Sequence, residues 1–196
     1  MVDPASELCE LPSLSTGRLV LRPVGVGDLD LLVDLNSDPA VMSYVRGRPA
    51  SPDESATEWR QRLAHQSDAG RGLGYWAGFE AGTFVGWWSA SSFEERPDIS
   101  GIGYRLRPAS WGRGLATEGA QAMIRQAFSC PDIDRVVAST MAANTGSRRV
   151  LEKLGMTQYA AWAASPNRQQ VPGWQHGEVA YELPRARWSP STSNRN

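Results

Sequence analysis

The chain of 196 residues contains a single lysine, Lys153, with two histidines and two cysteines. Cys9 and Cys130 are too few for a disulfide framework. With only His65 and His176 beside them, they match no zinc-ligand spacing, and no metal site is expected. No stretch approaches the roughly 18 consecutive apolar residues of a membrane-spanning helix. The first residues carry Asp3, Glu7 and Glu10 in place of the apolar run of a secretion signal. A cytoplasmic location without a membrane partner is therefore expected. Formal net charge is −1, so no strong field exists to hold nucleic acid, and no such partner is expected.

What is present is the balance of a globular domain, 41% hydrophobic and 21% charged, at a length that suits one core. Residues 1–13 read as a loose leader, 14–188 as one domain and 189–196 as a disordered tail. Residues 18–24 alternate and predict a strand. A helix opening at Gly27 or Asp28 places Leu29, Leu32, Val33 and Leu35 on its apolar side and stops at Asp38-Pro39. Ser51-Pro52-Asp53-Glu54 combines a capping serine, a first-turn proline and early acids, so a second helix runs to about Gln66. Residues 75–80 and 83–90 flank Ala81-Gly82 and predict a hairpin. An acidic loop over 94–98, a strand over 99–106 and an amphipathic helix from about Gly112 to Ser129 follow. Then come a strand over 135–141, a short helix over 147–154 closed by Gly155, and strands over 157–163 and 178–183. This order fits an α/β fold, a mixed sheet with helices on both faces.

Residues 104–118 run from a strand through a glycine-rich turn into a helix. Glycines let the backbone approach a ligand, and the first helical turn offers unpaired N–H groups at the positive end of the dipole. That combination suits a pyrophosphate, and Arg113 adds charge. A plain strand-to-helix turn explains the segment equally well. A Walker loop is excluded, because no lysine follows the glycines. A dinucleotide fingerprint requires G-x-G-x-x-G, and Gly112-Arg113-Gly114-Leu115-Ala116-Thr117 has threonine in the third place. Asp132 and Asp134 stand near the ribose-binding distance, so an NADP-dependent oxidoreductase stays open.

The segment Asn144-Thr145-Gly146-Ser147-Arg148-Arg149-Val150-Leu151-Glu152-Lys153-Leu154-Gly155-Met156, preceded by a strand, resembles the acyl-CoA half of the GNAT acetyltransferases in their RimJ/RimL-like branch, N-x-x-S-x-x-x-[LY]-E-K-L-G-[FM]. Trp111-Gly112-Arg113-Gly114-Leu115-Ala116-Thr117-Glu118 is similar to the same branch's W-G-x-G-x-A-T-E. Residues 16–23 and 177–183 with Trp188 resemble its opening and closing strands. The resemblance spans about 14–188.

The resemblance implies a central twisted, mostly antiparallel sheet splayed at its middle strands, with acetyl-CoA as co-substrate and its pantetheine arm in the gap. Those strands are 99–107 and 135–141. Backbone groups at Leu106 and Arg107 then bond the pantetheine amides. The main-chain N–H groups of Gly112, Arg113, Gly114, Leu115, Ala116 and Thr117 hold the pyrophosphate. Asn144 bonds the pantetheine or caps the next helix. Ser147 lies near the thioester sulfur as proton donor or is an ordinary first-turn serine. The implied reaction is acetyl transfer to a primary amine by direct attack in a ternary complex, with an oxyanion held by a backbone N–H of the 99–107 strand and the amine proton taken by a carboxylate, directly or through water.

The chain departs from the pattern at two places. Many relatives carry glutamate where Gly101 stands, and many use a tyrosine donor where Leu151 stands. The base candidates are Glu94, Glu95, Asp98 and Glu178, each also readable as a solvated acid. Trp87 and Trp88 adjoin the expected cleft and face opposite ways, so one of them lines an acceptor pocket. His176, before the last strand, is a further acceptor-site candidate. The acceptor is a protein N-terminus, an amino acid, a polyamine or an amino-group antibiotic. Because Gly101 and Leu151 remove two usual catalytic side chains, a non-catalytic acyl-CoA-binding sensor is the alternative. A homodimer is compatible with the resemblance.

Overall fold

A computed structural model describes residues 11–64, 69–93 and 95–189. The first ten residues of the expected leader and residues 190–196 of the expected tail lie outside them, as do Cys9, His65, Gln66 and Glu94. The elements run β1 (Leu14–Ser15), β2 (Leu19–Pro23), α1 (Leu29–Ser37), α2 (Pro39–Arg46), α3 (Pro52–Ala64), β3 (Gly74–Glu80), β4 (Thr83–Phe93) and β5 (Arg96–Leu106). They continue α4 (Leu115–Ser129), β6 (Arg135–Met141), α5 (Thr145–Lys153), β7 (Thr157–Trp162) and β8 (Glu178–Pro184). The eight strands form one sheet in the order β1-β2-β3-β4-β5-β6-β8-β7. Every pairing is antiparallel except β5 with β6.

The core lies on both faces of this sheet. One side holds α4, with Leu115, Met123, Ala127 and Phe128 packed on Leu21, Trp76, Trp88 and Ile102. The other holds α1 to α3, with Leu32, Leu35, Met42 and Trp59 packed on Ala77, Phe84 and Trp87. The period-two alternation of strands explains the division, since neighbours 87 and 88 fall to opposite faces. Trp88 is fully buried between Gly78 and Gly119, where a Cβ would overlap its indole. Its Nε1 donates to the Ala116 carbonyl at 3.2 Å. Burying ~200 Å² of indole contributes roughly 5 kcal/mol at ~25 cal/mol per Å².

Three elements differ from the sequence expectations. Asp38-Pro39 ends α1 and also begins α2, because the Asp38 carboxylate accepts from Ala40 N (2.8 Å) and Val41 N (3.3 Å) while proline takes the first helical position. The long helix begins at Leu115, after Gly112 (φ 71°) and Gly114 (φ 82°) in the left-handed region. The acidic stretch is mostly strand, because β5 already starts at Arg96. The capping serine of α3 is as expected: Ser51 Oγ accepts from Glu54 N at 3.2 Å, and the Glu54 carboxylate accepts from Ser51 N at 2.8 Å.

Candidate functional site

β5 and β6 are paired only over Ile99↔Arg135, Ser100↔Val136 and Gly101↔Val137. Beyond this the strands diverge, each still paired on its other side, β5 with β4 up to Leu106 and β6 with β8 up to Met141. Asp98 O accepts from Asp134 N (2.8 Å), whereas Arg107 N turns the other way and donates to Val85 O (2.9 Å). Peptide groups alternate along a strand. The Ile102 N–H closes the last bridge, at Gly101↔Val137, so the Ile102 carbonyl and the peptide groups of Tyr104 and Leu106 face the gap, without a strand opposite. Of the two backbone positions expected to line it, Leu106 faces it, with its carbonyl taken by Trp111 Nε1 at 2.9 Å. Arg107 N does not.

The gap leads to the α4 N-terminus. Its N-cap is Gly114, which offers no side chain to the first N–H groups. The first helical bond there is Glu118 N to Gly114 O, 3.0 Å. The N–H groups of the first turn are thus orphan donors at the positive dipole end, a cradle fit for a pyrophosphate. Arg113, expected to add charge, forms a two-pronged pair with Glu80 (2.8 and 2.9 Å). Arg18 stands beside the loop, donating to the Arg113 carbonyl (2.9 Å) while pairing with Glu118 (2.6 Å).

On the far side of the gap, the Asn144 side chain accepts from Ser147 N at 3.1 Å and so caps α5. Ser147 Oγ lies 3.0 Å from the Tyr104 hydroxyl, which also donates to the Ser147 carbonyl at 3.3 Å. Tyr104 thereby bridges β5 and α5 across the gap. Burial pushes its phenol up to about 12, only partly offset by the Ser147 hydrogen bond, so it is a neutral hydroxyl at physiological pH. Leu151 is buried in the core. Tyr104 was missed in the sequence because its partner is 43 residues away.

At the paired end of the gap lies a cleft of about 400 Å³. Its floor is cut by Gly101 and Gly103, whose missing side chains leave Ser89, Ser91 and Phe93 facing the space. Trp87, Tyr159 and Trp162 give aromatic walls, and Arg62 is a lining cation. Trp87 thus lines the cleft, whereas Trp88 is buried beneath α4 on the other face and does not. His176 is exposed in the β7–β8 connection and does not line it.

No carboxylate lines the cleft among the described residues. Glu94 lies outside them. Glu95 is exposed in the β4–β5 turn. Asp98 is held by Arg96 at 2.9 and 2.7 Å, and this hydrogen-bonded pair lowers its carboxyl below the usual range. Glu178 is half-buried, cross-strand from the lining residue Trp162, with Arg168 Nε at 3.7 Å.

Behind the cleft is a cluster that the sequence did not disclose. Glu58 pairs with Arg46 (2.6 Å) and Arg62 (2.5 Å). Arg62 lies 5.3–5.6 Å from the ring centres of Trp59, Tyr75 and Trp87. Arg105 lies 5.3 Å from the Trp87 ring centre and donates to the Asn36 side-chain oxygen. Burial, reinforced by the Arg62 charge, lowers Arg105 to about 10. Glu58 is raised by burial and lowered more by its arginines, for a net lowering.

Three comparisons bear on this site. A family model described as an acetyltransferase (GNAT) domain matches residues 18–157. The FsC-acetyl coenzyme A-N(2)-transacetylase of Aspergillus fumigatus is 36% identical over 189 residues, covering 90% of this chain and 78% of that protein. Among solved structures, a RimL ribosomal L7/L12 alpha-N-protein acetyltransferase in complex with coenzyme A superposes with a TM-score of 0.73 at 19% identity, covering 91% of this chain and 99% of that one. An AAC(6')-Ib structure with paromomycin and acetyl-CoA gives 0.72 at 17% identity, covering 90% and 99%. The two structures establish the shared fold.

Proposed function

The chain belongs to the GNAT acetyltransferase family, and on that premise we propose that it carries acetyl from acetyl-CoA to a primary amine by direct attack in a ternary complex. The observation that carries this reading is the gap between β5 and β6, which ends on the uncapped first turn of α4. Acetyl-CoA supplies an activated thioester: the amine nitrogen takes the acetyl carbon, the carbon–sulfur bond breaks and the coenzyme leaves as its thiol.

The chain's own groups divide the work. The N–H groups of the first α4 turn hold the pyrophosphate, with Gly112 and Gly114 shaping the approach. Gap-facing peptide groups at Tyr104 and Leu106, with the Ile102 carbonyl, receive the pantetheine arm, and the first two offer an N–H to the developing oxyanion. The Ser147 hydroxyl, held by Tyr104, donates the proton taken up by the departing sulfur. Glu178, half-buried beside the cleft wall, is the described acid best placed to take the amine proton through water. The likeness of the 111–118 and 144–156 segments supports membership of the RimJ/RimL-like branch.

The test is calorimetric titration with acetyl-CoA, with NADPH as control, followed by a screen of primary amines for thiol release. Saturable acetyl-CoA binding and turnover with at least one amine are expected. Binding of NADPH in place of acetyl-CoA would return the reading to the oxidoreductase alternative, and binding without any turnover to the sensor.

A further inference from the structure

The acceptor side of the cleft has an unbalanced charge. Arg46, Arg62 and Arg105 stand together around one close carboxylate, Glu58. Glu54 approaches Arg46 only at 3.6 Å and is taken up by Arg48 at 2.6 Å. Arg105 has no carboxylate partner among the described residues; its hydrogen bond goes to the neutral Asn36. The excess positive charge is directed at the cleft through Arg62, which lines it. The lining residues with hydroxyls are Ser89, Ser91, Ser139 and Tyr159, and no described lining residue carries negative charge.

A guanidinium at the edge of an aromatic-walled cleft is a planar, two-pronged donor that matches a carboxylate. A polycationic acceptor entering the same space loses water and meets repulsion, with only Glu178 beside the wall, itself 3.7 Å from Arg168, to offset it. We propose that the acceptor is a small primary amine that also carries a carboxylate, which Arg62 binds while the amine is presented at the gap. This rests on the acetyl-transfer reading and narrows its acceptor class, against polyamines and amino-sugar antibiotics. The same contact aids the chemistry. A neighbouring carboxylate holds an amine in its protonated form, and pairing that carboxylate with Arg62 removes the effect. The nucleophile then reaches its neutral form with less demand on a dedicated base.

The full chain with acetyl-CoA is assayed by thiol release over matched pairs differing only in carboxylate against carboxamide. Glutamic acid α-amide against glutamine α-amide places the difference away from the amine, and leucine against leucinamide places it beside the amine. Spermidine and paromomycin are the cationic members. The carboxylate member of at least one pair should be favoured in kcat/KM by roughly 10- to 100-fold, the range of a charge-assisted hydrogen bond. Arg62→Met should erase the preference with acetyl-CoA affinity unchanged, and Glu58→Gln, which frees positive charge, should sharpen it. Preference for the carboxamide or cationic members, or a preference that survives Arg62→Met in a protein that still binds acetyl-CoA, overturns the inference. Absence of thiol release from every amine counts against acetyl transfer itself. The pairs are then titrated calorimetrically into the CoA-loaded protein, where tighter binding of the carboxylate member sustains the inference and equal affinity overturns it.

Discussion

Replacing Gly114 separates two roles of the loop before α4. The residue sits at φ 82°, and a Cβ there would lie 3.5 Å from Arg18 Nη2, an ordinary contact. Gly114→Ala therefore adds backbone strain without a clash, about 1–2 kcal/mol for a left-handed alanine. At ~2–4 °C per kcal/mol for a chain of this size, Tm should fall by about 2–8 °C. Gly114→Glu adds the same strain and a carboxylate beside the orphan N–H groups. A negative charge ~6 Å from a phosphate is repelled by about 1–3 kcal/mol at an effective dielectric of 20–80. Calorimetry should thus show acetyl-CoA binding to Gly114→Glu roughly 5- to 150-fold more weakly than to Gly114→Ala, with the difference shrinking as salt rises. Equal affinities for the two variants at low salt would refute the assignment of this turn to the pyrophosphate.

Three further outcomes are expected. Tyr104→Phe leaves Ser147 Oγ without its partner, costing about 1 kcal/mol in chemical denaturation, and should lower kcat more than it raises KM for acetyl-CoA. Gly119→Ala drives a methyl into the Trp88 indole, so thermal melts should show about 1–3 kcal/mol of lost stability, with part restored in the double variant carrying Trp88→Phe. The Glu118 carboxylate, raised by burial but lowered more by Thr16 and Arg18, has a net lowered pKa. Its contribution is present above the unfolded carboxylate value of ~4.3 and is lost as pH falls through the lower folded value. Denaturation curves of Glu118→Gln should thus differ from the parent at pH 7 and converge with it toward pH 2.

The strands and long helices were legible because their signals are local. Alternation marked β2, the Ala81-Gly82 turn between two aromatic-rich runs marked the β3–β4 hairpin, and Ser51 to Glu54 carried a complete capping box. Asp38-Pro39 was harder, since the same dipeptide stops one helix and starts another, and only the next residues' packing distinguishes the outcomes. The glycine-rich turn proposed to hold the pyrophosphate was readable as a turn because glycines and a helix start are adjacent in the chain. The arginine cluster behind the cleft was not. Arg62 and Arg105 are separated by 43 positions and meet only because α3 crosses the face of β4 and β5 that carries Trp87. Trp87 and Trp88 were correctly set on opposite faces, but the cleft side could be assigned only once α4 was seen to cover Trp88.

The three-pair join of β5 to β6 also sets how the sheet breathes. Strands β1 to β5 and strands β6 to β8 are two ladders held together at one short seam, so amides at the middle of the sheet have the solvent access of an edge. In hydrogen-exchange terms, the gap-facing amides of Tyr104 and Leu106 should lose their protons far faster than their neighbours Gly103 and Arg105, which face β4. A ligand lying in the gap would restore the protection of a continuous sheet, turning an internal edge into a site whose occupancy can be read one amide at a time.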